Sequence, residues 1–187
     1  MLKTLRLTAA ALVLLPVLAA TACSHTPAAA SGTAPDTALA SLSPIPFPAQ
    51  LNPADPYTRL PTVATASGAG VTIALQVAGG ACNVVIGTAG SQTQVGAHAP
   101  GTGQPAPAQK TDLPPAAARA IGPANSAATT TADGPFTLPC GDRGAALTLP
   151  AKDVAAPPVG TARIRNIGNG LALIVTGSAT TMAAALA

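Results

Sequence analysis

Side chains able to perform chemistry are scarce in this chain. Its 187 residues include two histidines, three cysteines and six acidic residues, all of which are Asp. Catalysis needs acids, bases or nucleophiles held at workable distances. His98 borders a Gly/Pro-rich loop, and four of the Asp residues lie in turn contexts, where Asp commonly bonds its own backbone. We therefore predict no catalytic residues and a protein that is not an enzyme.

The same scarcity bears on metals and cofactors. Cys82 and Cys140 lack a C-x-x-C spacing and are accompanied by one distant histidine, which does not make a tetrahedral ligand set. The glycine-rich stretch 96–103, GAHAPGTG, lacks the Lys-Ser/Thr ending of a phosphate-binding loop. We predict no metal site and no cofactor.

The first 22 residues have the layout of a secretory signal. Lys3 and Arg6 form a short basic region, and an uncharged, mostly apolar run follows and leads into Cys23. This run is shorter than the ~20 residues that a membrane-spanning helix needs, and Pro16 would weaken such a helix. The sequence predicts a cleaved signal peptide over 1–22.

The residues around the cleavage point carry a family resemblance. Ala20-Thr21-Ala22-Cys23 resembles the lipobox of bacterial lipoprotein precursors, with Ala20 where the family prefers Leu. The resemblance implies that the Cys23 sulfur receives a diacylglyceryl group, that cleavage precedes Cys23, and that the new amino terminus is acylated, with palmitate-type chains. Two acyl chains exceed the marginal binding of one. An ordinary signal with an incidental cysteine is the alternative.

The resemblance also implies a location. A lipidated Cys23 anchors the protein to a membrane of the bacterial cell envelope with its domain outside the cytoplasm. In a cell with two membranes, Ser24 is compatible with the outer membrane, because the family's retention signal for the inner membrane is Asp at that position.

Residues 23–60 follow as a lipidated cysteine and a Pro/Ala-rich tether that we predict to be disordered. Proline removes backbone donors and favours extended polyproline II. At ~3.1 Å per residue, residues 24–60 could reach on the order of 100 Å. The segment is either a spacer that lifts a domain off the membrane or a passive leader.

Residues 61–187 are predicted to form the folded domain. Apolar residues alternate with small or polar ones over 71–78 and 81–88, on both sides of Gly79-Gly80, as in a hairpin of half-buried strands. Asn169-Gly170 marks a second hairpin. Six to eight such strands predict an all-β fold, a small antiparallel β-sandwich or open barrel.

Less regular segments separate these strands. We predict a polar edge strand over 91–97 and a short helical turn over 116–121. A weakly patterned Thr/Ala-rich stretch follows over 122–134, and a frayed helical end covers 180–187.

The two remaining cysteines fit an exported β domain. Cys82 and Cys140 fall on inward faces of predicted strands, 58 positions apart. An oxidising compartment favours a disulfide between them, which would stabilise the fold by about 4 kcal/mol in the chain-entropy model. Two buried free thiols are the alternative.

Charge and aromatic content argue against nucleic-acid binding. After residue 22 the chain has seven basic residues against six Asp, and one Tyr and two Phe supply all its aromatic rings. Single-stranded nucleic acids need stacking platforms, and duplexes need a basic surface. Leu, Ile, Val and Phe make up only 30 of those 165 residues, which predicts a small core.

Four charged residues are candidates for recognition. Asp142 and Arg143 lie in a polar turn that an Asp–Arg contact could close, and Arg163 and Arg165 lie on one side of a predicted strand. The turn is either a structural feature or a recognition loop. Arg163 and Arg165 form either a solvated face or a contact for an anionic partner, such as a phosphate or a lipid headgroup.

The sequence therefore favours a membrane-anchored envelope lipoprotein that acts as a non-catalytic structural or interaction module. Its partners would be the membrane, through the covalent lipid, and other envelope proteins, and its oligomeric state is left open. A carrier of a small apolar molecule is the first alternative, and an envelope hydrolase the second.

Overall fold

The computed structural model describes residues 39, 41–52, 60–98, 113–131 and 134–187, and Cys23 and the signal-like segment lie outside them. Two five-stranded antiparallel sheets pack face to face, so the predicted all-β fold is confirmed. Sheet A has the order β4-β3-β2-β1-β8, with β1 Thr62–Gly68, β2 Val71–Ala78, β3 Ala81–Thr88, β4 Ser91–His98 and β8 Val159–Gly160. Sheet B has the order β5-β6-β7-β10-β9, with β5 Ala124–Thr131, β6 Gly134–Gly141, β7 Gly144–Pro150, β9 Arg163–Gly168 and β10 Leu171–Gly177.

Two-residue turns set the register of the hairpins. The turn at Asn169-Gly170 has φ of 52° and 71°, and the predicted Gly79-Gly80 turn likewise has positive φ at both residues. Positive φ at both central positions is the requirement of the type I′ turn, whose twist matches that of paired strands. The turn between β1 and β2 places Ala69 at φ 46°, where an L side chain is disfavoured.

The core lies between the two sheets. Alternate residues of β2 and β3 point inward, and their partners across the core come from β6 and β7. The inward side chains are almost fully buried and include Ile73, Val77, Val84, Phe136, Leu138, Leu147 and Leu149. Burial of each such side chain is worth about 1.5–3 kcal/mol, which explains how a small set of large apolar residues sustains the fold.

Two short helices cover the outer face of sheet B. The predicted helical turn is α1, Pro115–Ile121, and the C-terminal alanine-rich stretch is α2, Ala179–Ala185. Ile121 of α1 and Met182 of α2 pack against Leu173 and Val175 of β10. Ser178 caps α2, because its hydroxyl accepts a hydrogen bond of 3.0 Å from the Thr181 amide. The end predicted to fray is therefore a docked, capped helix.

A segment that precedes the sheets covers the outer face of sheet A. We call residues 41–52 the strap. Leu51 of the strap is buried against Ala74 and Val85, with Phe47 beside it. A Cβ on Gly87 would meet Leu51 Cδ2, so the Leu51 side chain occupies space that the glycine leaves open.

The strap changes the predicted domain boundary. Leu39, just before it, is 4% exposed and joins the core between the sheets, and the Ile45 amide donates a 2.8 Å hydrogen bond to the Thr62 carbonyl. The sequence analysis assigns these residues to a disordered tether ending at residue 60. In the structure the folded domain begins no later than Leu39, because apolar side chains between the prolines bury themselves on the sheets.

Two further strands differ from expectation. β5 occupies the stretch predicted to be weakly patterned, and β8 is a two-residue strand that returns the chain to sheet A. The described residues thus contain ten strands rather than six to eight. The polar strand β4 lies at the edge of sheet A, as predicted.

Candidate functional site

A disulfide joins the two sheets between β3 and β6, each of which lies next to an edge strand of its sheet. Cys82 of β3 and Cys140 of β6 point inward, with Sγ atoms 2.03 Å and Cα atoms 5.9 Å apart, so the predicted pairing is present in the structure. Both residues are completely buried. A buried disulfide has neither a thiolate nor access for a substrate, so this pair is a structural link and not a reactive site.

Arg143, a candidate for recognition, makes structural contacts instead. Its Nε donates a 2.9 Å hydrogen bond to the Ala120 carbonyl, Nη2 donates to the Arg119 carbonyl, and its backbone amide donates to the Ile121 carbonyl at 3.1 Å. These are the last carbonyls of α1, which have no partners within the helix. Arg143 therefore caps the C-terminal end of α1 in place of the predicted contact with Asp142. A cation is favourable at this end, which carries the negative part of the helix dipole.

In the second candidate pair, Arg163 and Arg165, one arginine also holds a helix end. Arg163 and Arg165 are both exposed on the outer side of β9, as the sequence predicts. Arg165 Nη1 donates to the main-chain oxygens of Leu186 and Ala187, at 2.8 and 3.1 Å, and so holds the end of α2. Arg163 Nη1 donates to the neighbouring Ala162 carbonyl at 3.0 Å. Two of the four candidate residues thus serve helix ends.

The four candidates do not converge on one ligand. Asp142 and Arg143 lie in the turn between β6 and β7, whereas Arg163 and Arg165 lie on β9, with β7 and β10 between β6 and β9 in the sheet. A phosphate needs donors aimed at a common point, and the topology separates these pairs across the sheet. The recognition role predicted for them gains no geometric support.

Of the His and Asp residues considered for catalysis, only some lie among the described residues. The backbone of His98 ends β4 at the edge of sheet A, and His25, Asp112 and Asp133 lie outside the described residues. Asp153 is completely buried in a 3₁₀ turn, Ala151–Asp153. Within the described ranges, no three His, Cys, Asp or Glu residues are grouped closely enough to hold a metal ion.

A surface depression that the sequence analysis missed lies on the outer face of sheet A. We call it the trough. It has a volume of about 290 Å³ and runs between the strap and the segment 156–159, over β1 and the start of β2. Its lining consists of Pro48, Gln50, Thr65, Ala66, Ser67, Thr72, Ala156, Pro157 and Val159. None of these side chains is ionisable, so the trough offers hydroxyl, amide and apolar surface only.

The interior offers much less room. The space between the sheets bordered by Leu75, Leu147 and Ile174 measures about 10 Å³. A single water molecule needs about that much, so this part of the core could not shelter an apolar ligand.

No helix in the described part of the chain is long and apolar enough to cross a membrane.

Comparisons with known proteins give the chain no relatives: it matches no protein-family model, no curated protein and no solved structure.

Proposed function

We propose that this chain is an exported, lipid-anchored protein of the bacterial cell envelope, whose β-sandwich acts as a non-catalytic interaction module. The observation that carries this proposal is the disulfide between Cys82 and Cys140. Disulfides persist in oxidising compartments and are rare in the cytosol. The pair therefore supports export independently of the signal-like residues 1–22.

The anchor rests on Cys23 and its resemblance to a lipobox cysteine. Its sulfur would carry a diacylglyceryl group and its new amino terminus a further acyl chain, such as palmitate. Each methylene buried in the membrane contributes ~0.8 kcal/mol to binding, so the two acyl chains of one diacylglyceryl group suffice for stable attachment. The domain would then stay at the membrane without a spanning segment, and Ser24 is compatible with the outer membrane where there are two.

The role as an interaction module follows from how the described side chains are used. Arg143 and Arg165 hold helix ends, and Cys82 and Cys140 hold the sheets together. The trough is a surface depression that none of these contacts uses, and its lining is uncharged. Protein surfaces of this kind recognise other molecules by shape and hydrogen bonding, and other envelope proteins are the partners we propose.

The two alternatives receive less support. A carrier for a small apolar molecule needs an enclosed site of ≈300 Å³ or more, and the space between the sheets around Leu75 is about 10 Å³. An envelope hydrolase needs a positioned acid, base or nucleophile. No ionisable side chain lines the trough, so the trough supplies neither an acid nor a base.

The test is the intact mass of the protein extracted from bacterial membranes, with and without reduction. We expect a chain beginning at Cys23 with an added acyl mass and a gain of two hydrogens on reduction. The matched control is Cys23→Ser, which should lose both the acyl mass and the membrane fraction. An unlipidated wild-type chain would refute the anchor, and an unchanged mass on reduction would refute the disulfide.

A further inference from the structure

The trough is open, neutral and bounded on one side by the chain's own strap. We propose that the trough is a binding site for an extended, uncharged peptide segment of a partner protein. This inference deepens the interaction role proposed above and rests on it. It concerns a surface that the candidate arginines do not line.

The trough exists because the pairing of β8 with β1 stops early. Val159 and Gly160 pair with Thr65 and Ala64, and no further pairs follow on this edge. Pro158, opposite Ala66, and then Pro157 would be the next residues to pair in this register. Neither has a backbone N–H to donate. The segment 156–158 therefore leaves the edge of β1, and the Ala155 amide rejoins it with a 3.1 Å bond to the Ser67 carbonyl.

The floor of the trough carries hydroxyl groups. Thr65 and Ser67 of β1 and Thr72 of β2 lie on the outer face, where Ser67 and Thr72 are directly paired. Their hydroxyls bond to no other side chain or backbone group among the described residues. A hydroxyl can both donate and accept, so this floor can satisfy the alternating N–H and C=O groups of a peptide backbone.

The walls of the trough are apolar apart from Gln50 of the strap. Pro48 of the strap lies on one side, and Pro157 and Val159 lie on the other. Val159 is 64% exposed, whereas the other large apolar side chains of the described residues are buried or partly buried. Its burial by an apolar side chain of a ligand would be favourable. A charged ligand group would lose water in the trough and meet no opposite charge.

The strap shows what kind of chain this face accepts. Residues 44–48, Pro-Ile-Pro-Phe-Pro, are uncharged, and within them Phe47 packs on the outer face of sheet A and Pro48 lines the trough. Further along, the side-chain amide of Gln92 bonds both the amide and the carbonyl of Asn52, much as a neighbouring strand would. A second extended segment of the same chemistry would lie alongside the strap. A sugar is less well matched, because no aromatic ring lines the trough for it to stack on.

The test is a titration of the full chain carrying Cys23→Ser, labelled with ¹⁵N, with the blocked peptide SPIPFPAQ. This probe copies residues 43–50 and is uncharged. We expect saturable shifts of the Thr65, Ser67 and Val159 amides. The variant Ser67→Arg places a long cation in the trough and should weaken binding at least about tenfold, whereas Thr130→Arg, on the exposed surface of β5, should leave it unchanged.

Three outcomes would overturn the proposal. The first is the absence of shifts at the trough. The second is shifts at Leu51, Ala74 and Val85 alone, which would mean that the peptide exchanges with the strap. The third is binding of the neutral trisaccharide maltotriose, but not of the peptide, at the trough amides. Because the lipid is absent from the Cys23→Ser chain, a negative result would leave the proposed anchor intact. Conversely, loss of the anchor in the mass measurement would leave this titration interpretable.

Discussion

Removing the bond between Cys82 and Cys140 should cost this domain a large part of its stability. The bond closes a loop of 58 positions between β3 and β6. In the chain-entropy model a loop of this size lowers the entropy of the unfolded chain enough to stabilise the fold by about 4 kcal/mol. Whole domains are stable by only ≈5–15 kcal/mol, so the reduced protein should unfold at a much lower urea concentration.

Urea denaturation of three samples separates the effect of the cross-link from that of packing. The oxidised wild type and the reduced wild type differ only in the bond, and we expect about 4 kcal/mol between them. The double variant Cys82→Ala/Cys140→Ala also loses two fully buried sulfur atoms, so it should be less stable than the reduced wild type. The m-value should rise when the bond is absent, because the unfolded chain exposes more surface. If the oxidised and reduced wild types agree within about 1 kcal/mol, the link is not what stabilises this core.

Three further changes test individual contacts by urea or thermal unfolding. Leu51→Ala empties the site above Gly87 and should cost about 2 kcal/mol; a loss below about 0.5 kcal/mol, within the range of ordinary surface substitutions, would mean that the strap adds nothing to the fold. Arg143→Met keeps the aliphatic stem but removes the bonds to α1, and should cost about 1 kcal/mol; the control Arg163→Met should cost less, and equal losses would refute the cap. Ala69→Gly should stabilise by up to about 1 kcal/mol, because glycine accepts φ 46° without the steric cost that alanine carries; a lower melting temperature would show that the turn is unstrained.

The parts of the fold that could be predicted are those with strong local signals. In β2 and β3, Ile73, Val77 and Val84 alternate with smaller or polar residues, so the buried face can be identified from the sequence. Gly79-Gly80 and Asn169-Gly170 can adopt positive φ at little cost, so the two hairpins they form could also be located.

The parts that could not be predicted lack such contrast. β5, ANSAATTT, consists of small and hydroxyl residues that give no difference between its two faces, and its pairing with β6 comes from tertiary structure. The strap is Pro-rich, and composition alone describes such a segment as extended and solvated. Leu51 of the strap packs against Ala74 and Val85 and over Gly87, 36 positions further along the chain, and no local pattern connects these residues.

The features of the candidate site also divide into those that local sequence signals predict and those that depend on tertiary structure. The pairing of Cys82 with Cys140 could be inferred because both lie on inward faces of patterned strands. The contacts of Arg143 with α1 could not, since they join residues 23 and 24 positions apart. The trough could not be found either, because it is formed by a strand pairing that proline stops and by a strap whose position the sequence does not reveal. Its one local signal is Pro157-Pro158 directly before the two-residue strand.

The docked strap also changes how far an anchored domain can stand from its membrane. If Cys23 carries the lipid, only residues 24–38 separate it from Leu39, which is buried in the core. At ~3.1 Å per residue this stretch spans about 50 Å as polyproline II, compared with on the order of 100 Å for a tether that runs to residue 60. Energy transfer from a fluorophore at Thr130→Cys to a dye in the bilayer should report the shorter distance. The double variant Leu39→Ser/Leu51→Ser should release the strap and lengthen it, provided that its amide spectrum shows the sheets intact. The same distance in both proteins would mean that burial of the strap does not set the height of the domain.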